Sequence, residues 1–276
     1  MITELPPDHI PVHKASFPGP HLELVIASIA AGNTAAQLWE VEQPGESAVK
    51  LLWDKGNNVF YFSANQISAA SQHDLADFIA THIRPRARAE RSAHFKIHAL
   101  SPALEDALAP LFSEITLSEM PTLFYGFTQP GPVHVAAPAV DGIRFISIDR
   151  AFLGAEQLQH IARVRAEILW MWPSEEHFYK YGLGYAAVVH NQVVCWCTAE
   201  YLSAERCGIG IETVAAYERR GVATATAAQF VQLCLERGMT PFWECRANNI
   251  GSIRVAEKVG FARLAEERYW VGVFDD

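Results

Sequence analysis

The sequence predicts an α+β protein, a mixed and mostly antiparallel sheet flanked by helices, built twice over. Three observations lead there. Short stretches rich in β-branched and aromatic residues alternate with longer stretches of helical period. The order of these elements is similar in the two halves. Between them runs "TQPGPVHVAAPAVD" at 128–141, with three prolines and no amphipathic period, which reads as a linker. A first domain over 1–135 and a second over 136–276 follow, and 276 residues exceed the usual size of one domain.

In the first half, extended stretches are expected at 36–41, 49–53 and 59–63. "WDKGNN" makes a hairpin turn, because Gly and Asn tolerate the left-handed backbone of tight turns. A helix over 69–83, a strand over 94–99, a short helix over 102–112 and a strand near 122–127 complete this half. The second half opens on the strand "IRFISI" and a helix over 155–170. "GYAAVVHNQVVCWCTAEYL" is a hairpin turning at His190 and Asn191. The strand "GIGIETVA", a helix over 224–237 and the strand "PFWECRA" come next. A helix then begins at Ser252, whose hydroxyl can cap it, and stops at Gly260. "ARLAEERYWVGVF" closes the chain as a strand.

Half of the residues are hydrophobic and 19% are charged, a globular composition. No apolar run reaches the roughly 18 residues of a membrane span, and the first twenty residues lack a charged start followed by an apolar core. A cytoplasmic protein with no membrane partner is expected. The five cysteines, Cys195, Cys197, Cys207, Cys234 and Cys245, form no C-x-x-C pair and have no histidine at ligand spacing, so reduced thiols and no metal are expected. The net charge of −9 argues against nucleic acid, whose binders need basic surface, and favours cationic partners. No G-x-x-x-x-G-K-[ST] loop is present, which removes the P-loop phosphotransferases.

"YERRGVATATAAQF" from Tyr217 sets two arginines and a glycine before a helix in which Ala227, Phe230, Val231, Cys234 and Leu235 recur at helical spacing. A helix N-terminus offers unpartnered N–H groups and partial positive charge to an anion. Gly221 lets the chain approach closely, and Arg219 and Arg220 add charge. The alternative is a surface turn with two solvated arginines.

The order "GIGIETVA", "ERRGVA" before a long helix, "PFWECRA", Asn249 and "EKVGF", over roughly 143–274, resembles the Gcn5-related N-acetyltransferase (GNAT) superfamily. Of its signature, Gly221 and Ala223 match, while the Gln or Arg of the first position is Glu218. "FYKYGLGYAAVVHNQVVCWCTAEYL" and "IETVAAYERRGVATATAAQFVQLCLERGMTPFWEC" are similar to the subgroup typified by the zwittermicin A resistance acetyltransferase. The resemblance implies an acetyl-CoA acyltransferase fold, degenerate in the first copy, with acetyl-CoA as acyl donor and no metal. Its pyrophosphate would lie on Arg219, Arg220, Gly221, Val222, Ala223 and Thr224. Thr213, Val214 and Ala215 would hold pantetheine, with Val214 N–H polarising the thioester carbonyl. Asn249 and Ser252 would touch the cofactor arm, and Asn249 is equally placed to cap a helix.

Acetyl transfer to an amine needs a base and an oxyanion donor. Glu200, Glu212 and Glu244 end strands that lead to the expected cleft, Glu200 and Glu212 ranking together ahead of Glu244; a structural role for each stays open. Ala256 stands where many superfamily members place a tyrosine acid, which leaves Tyr269 and Tyr217 as substitutes by residue type. The aromatic stretch 168–185, with Glu175 and Glu176, would hold a cationic amine by cation–π and ion-pair contacts, or pack as core. The expected partner is a small-molecule amine, met by a monomer or homodimer. The competing readings are an acyl-CoA-binding regulatory protein without turnover and a tRNA-dependent aminoacyl transferase, the second disfavoured by the acidic charge.

Overall fold

The computed structural model describes residues 1–90, 93–129 and 131–274; Pro130 of the predicted linker lies outside them. The chain forms two compact units, one of Met1–Pro121 with Glu267–Asp276 and one of Thr122–Glu266.

The first unit begins with β1 (Ile2–Leu5), a 3-10 segment (Pro7–Ser16) and α1 (Pro20–Ala30). α1 buries Leu22, Val25, Ile26 and Ile29, an i, i+3, i+4, i+7 stripe that periodicity alone would reveal. Next come β2 (Ala36–Val41), β3 (Val49–Asp54) and β4 (Val59–Ser63), joined in antiparallel register. The Asp54 carboxylate accepts from Gly56 N–H at 2.9 Å in the turn between β3 and β4. α2 (Ala69–Phe78) passes through a π-turn at Ile79–Ile83 into α3 (Arg84–Ala89); Pro85 has no N–H to donate, and the helix widens just before it. β5 (His94–Ala99) pairs in parallel with β4, and α4 (Pro102–Leu111) follows. Trp39, Trp53, Phe60, Phe62, Phe95, Phe112 and Phe274 form the aromatic centre of this core, each such side chain contributing roughly 1.5–3 kcal/mol on burial.

β6 (Ser118–Phe127) leads into the second unit. There follow β7 (Ile143–Ser147), α5 (Arg150–Leu153), α6 (Ile161–Met171), α7 (Glu175–Tyr181), β8 (Gly184–Val189), β9 (Gln192–Leu202) and β10 (Arg206–Thr213). A 3-10 turn (Ala215–Tyr217), α8 (Val222–Glu236), β11 (Thr240–Arg246), α9 (Ile250–Val259) and β12 (Phe261–Val273) complete the chain. The strand order of this unit is β6-β11-β10-β9-β8-β7, with β10 and β11 parallel and the other pairs antiparallel. Each unit is therefore a mixed, mostly antiparallel sheet with helices.

Three local differences from the sequence reading have physical causes. α6 starts at Ile161 rather than 155, because Gln159 exchanges backbone hydrogen bonds with Asn191 and Val193 beside the hairpin and His160 takes a left-handed φ of 67°. α7 forms inside the aromatic stretch 168–185, to which the sequence reading assigned no helix beyond 170, and is started by the Ser174 hydroxyl, which accepts from His177 N–H at 3.1 Å. The chain is also not cut once between 135 and 136. Thr122–Gly126 of β6 pairs with β11, and Trp270–Val273 of β12 pairs with β5. Each parallel strand thereby gains a neighbour for the backbone groups on its far side. The 128–141 stretch carries no regular structure among its described residues, yet it is tied down: Ala139 N–H donates to the Arg220 carbonyl at 2.9 Å and Val140 packs against the apolar cluster that contains Val222.

Candidate active site

β10 is the strand from which the site grows. Its parallel pairing with β11 runs from Arg206 opposite Thr240 to Ile209 opposite Trp243 and stops, although β10 continues to Thr213 and β11 to Arg246. Beyond that point Glu244–Arg246 pairs with β6, and Gly210–Thr213 stays with β9. The two strands part, and a wedge opens between them. Val214 N–H donates to the Val194 carbonyl at 2.9 Å. Since hydrogen-bonded pairs alternate along an antiparallel ladder, Gly210 and Glu212 also bond across to β9. Ile211 and Thr213 then turn their N–H and C=O groups into the wedge. This corrects the expectation for Val214: its N–H is taken by β9, and the open donors are one residue to either side of Glu212.

The wedge leads to the start of α8. Gly221 is its N-cap with φ of +80°, and no side chain caps the helix. The first helical bond is Ala225 N–H to the Gly221 carbonyl, so the N–H groups of Val222, Ala223 and Thr224 precede the ladder and have no helical acceptor. Arg219 is also left-handed, at 58°. Such a turn gathers backbone N–H groups into a concave anion site. In the first unit the corresponding helix start differs. Ser68 caps α2 by accepting from Ser71 N–H at 3.1 Å, and the β4–β5 pairing persists to Phe62 opposite Ala99. Among its described residues, that unit has neither the wedge nor the uncapped turn.

On the other side of the sheet lies an acidic group. α6 runs along β9, with the Arg163 guanidinium 5.2 Å from the Trp196 ring centroid and Trp172 Nε1–H donating to the Ala199 carbonyl at 2.8 Å. Glu212 is the register partner of Trp196 and shares its face, where it forms an ion pair with Arg163. Glu200 sits in a β-bulge where the β9–β10 register slips. Its side chain folds over Gly210, where a Cβ would stand 2.9 Å from Glu200 Cγ and closer still to Oε1. One turn along α6 from Arg163 is Glu167, a residue the sequence reading missed. It is half-buried, and burial, with Glu212 adding like charge, raises its carboxyl above the usual carboxylate range. Its signal was the i, i+4 relation to Arg163 on the helix facing the hairpin.

The remaining candidates are dispersed. Glu244 lies past the parting point on β11, on the face away from α9, since its neighbour Trp243 donates through Nε1–H to Ser252 Oγ at 2.9 Å. Ser252 is thus inside α9, and the cap is Asn249, whose side chain accepts from Ser252 N–H at 3.1 Å; this corrects the helix start. Tyr269 belongs to the first unit, buried and stacked on His98 at a ring separation of 4.5 Å, because β12 has by then turned to pair with β5. Glu175 is bound by Arg165 and Tyr179, and Glu176 by Arg150, so these carboxylates already hold cations of their own chain. Burial pushes the Cys195 thiol up to about 11, leaving it protonated and without nucleophilic character near neutral pH. All five cysteines are buried and free. Among the described residues, no group of three or more His, Cys, Asp or Glu side chains is placed to hold a metal ion, and no helix is long and apolar enough to cross a membrane.

Residues 140–269 match the family model for GNAT acetyltransferase. Over these residues the second half is similar to a GNAT domain. The wedge, the uncapped turn and the acidic face all fall within the matched residues. The uncharacterized N-acetyltransferase YdfB of Bacillus subtilis (strain 168) is 25% identical over 210 residues, 76% of each chain. Among solved structures, a GCN5-related N-acetyltransferase-like protein from Streptococcus suis 89/1591 superposes with a TM-score of 0.64 at 16% identity, covering 96% of this chain and 98% of its own. A tandem GNAT protein from the clavulanic acid biosynthesis pathway superposes with a TM-score of 0.56 at 13% identity, covering 100% and 99%. These structures show the fold, and the second agrees with a GNAT architecture built twice over.

Proposed function

We propose that the protein is an N-acetyltransferase that moves an acetyl group from acetyl-CoA to the primary amine of a small molecule, with the chemistry in the GNAT domain. The observation that carries this reading is the wedge between β10 and β11, continuous in sequence with an uncapped helix start and backed by an acidic face. The residues fit the co-substrate. Diphosphate matches the N–H groups from Arg219 to Thr224, and the peptide-like arm of pantetheine matches the open N–H and C=O groups of Ile211 and Thr213. Acetyl-CoA, when bound, supplies the acetyl group as an activated thioester. The chain's own part is to bind the diphosphate, align the arm along β10 and deprotonate the acceptor on the α6 side. An acidic site suits an amine that arrives as an ammonium ion.

One observation favours a second reading, acyl-CoA binding without turnover. Ala256, in the expected acid's place, is fully buried in α9 and has no hydroxyl to offer. Calorimetric titration with acetyl-CoA, for the wild type and Gly221→Glu, followed by a panel of amines, separates the two. Binding lost in the variant together with acetylation of an amine supports the enzyme. Binding that no amine converts to turnover supports the regulatory protein. Absence of binding by the wild type refutes both.

A further inference from the structure

We propose that Glu167 of α6, rather than a carboxylate of β9 or β10, is the general base that takes the proton from the acceptor's ammonium group. The inference rests on the acetyl-transfer reading above. Each strand carboxylate at this face is already committed: Glu212 to Arg163, and Glu200 to its place over Gly210. Glu167 has no hydrogen-bond or ion-pair partner among the described residues, and it is half-buried. Its place is fixed at both ends of α6, by Arg163 over Trp196 before it and by Trp172 bonded to Ala199 after it. The intervening turn lies above the stretch of β9 and β10 that contains Gly210 and Glu212, where β10 leaves β11.

The charged groups beside Glu167 are Arg163, one turn back on its own helix, and Glu212 on β10. On α7, Glu175 is held by Arg165 and Tyr179. With Glu167 included, the balance is two carboxylates to one guanidinium, which favours a protonated amine as the arriving group and raises the proton affinity of the one carboxylate of the two that lacks a partner. In the step, the Glu167 carboxylate takes one proton from the ammonium and frees the nitrogen lone pair. The C–N bond then forms as the C–S bond breaks, and the second nitrogen proton leaves with sulfur as free thiol. Glu167 returns its proton to solvent.

The full-length chain and its Glu167→Gln variant are compared for acetyl-CoA affinity, for the pH dependence of kcat/KM, and for melting temperature against pH. Acetyl-CoA affinity should stay within about twofold, while kcat at pH 7 falls by roughly 10²-fold or more and the acid limb of the profile disappears. Glu167→Asp should keep the limb with a reduced kcat. The melting readout is independent of turnover. A carboxyl raised in the folded state contributes stability below its unfolded pKa and loses it as pH rises through the folded pKa. Glu167→Gln should therefore melt higher than the wild type at pH 8, with the gap closing by pH 4. An active wild type whose variant keeps full kcat and the same acid limb overturns the assignment, as does the absence of any gap in melting. A wild type that binds acetyl-CoA but acetylates no amine overturns the reading of function, and the base assignment with it, while the melting gap then reports only a carboxyl raised by burial.

Discussion

Glu200 lies across Gly210: a side-chain carbon added at 210 would come within 2.9 Å of Glu200 Cγ. The glycine is a cradle for the carboxylate, two residues before Glu212 on the same face of β10. Gly210→Ala should fold, because the residue sits in regular strand and the obstructing group is a flexible side chain. It should displace Glu200 and lower kcat/KM between about tenfold and a hundredfold through misplacement at the site. Acetyl-CoA affinity should change little. A double-mutant cycle with Glu200→Ala checks the cause. If Gly210→Ala acts through Glu200, its effect should vanish in the Glu200→Ala background; additive losses would show an independent cause.

At the start of α8 the relevant glycine is different in kind. Gly221 holds φ of +80°, and a Cβ there would lie 3.4 Å from Pro138 Cα. Gly221→Ala should cost about 1–2 kcal/mol of stability through the left-handed conformation alone and weaken acetyl-CoA binding modestly. Gly221→Glu adds a negative charge where the N–H groups converge, and affinity should fall by roughly 10²-fold or more. Calorimetry at two salt concentrations checks this. An affinity for acetyl-CoA unchanged in Gly221→Glu would place the diphosphate elsewhere.

The strand, turn and helix that make this half of the site were legible because local chemistry dictates them. A glycine next to a helix start and an apolar stripe at i, i+3, i+4 need no knowledge of neighbours. The partners of individual groups were not legible. Val214 looked like an open donor until the β9 register assigned its N–H to Val194, and Ser252 looked like a cap until Asn249 took that place and Trp243 took its hydroxyl. Tyr269 was chosen by residue type, and only the pairing of β12 with β5 shows that it stacks on His98. Glu167 was passed over because its environment comes from a strand more than forty residues away in sequence. Which carboxylate lacks a partner is a tertiary fact.

The thiols give a prediction about route. Direct attack by the amine needs no acyl-cysteine, and the Cys195 thiol, at about 11 and buried, is not a nucleophile at working pH. Iodoacetamide at pH 7.5 should label none of the five cysteines in the native protein within the time that inactivates an exposed thiolate, and activity should persist. Intact-mass measurement checks it. A labelled, inactive protein would indicate a reactive cysteine and a covalent route.

The ion pair of Arg163 with Glu212 tunes the neighbouring carboxylate more than it stabilises the fold. Its side chains are 48% and 41% exposed, so its direct worth to stability is below about 1 kcal/mol. Glu212 nevertheless sets the charge that Glu167 feels. Glu212→Gln removes a like charge, which eases ionisation of Glu167, and the acid limb of kcat/KM should move to lower pH. Arg163→Ala leaves the Glu212 charge uncompensated, and the limb should move to higher pH. Both shifts should shrink at high ionic strength, because the pair is open to solvent. The opposite signs are the test, since general damage to the site would lower activity in both variants without moving their limbs apart. Limbs that stay at the wild-type position in both variants would show that Glu212 does not act on the base.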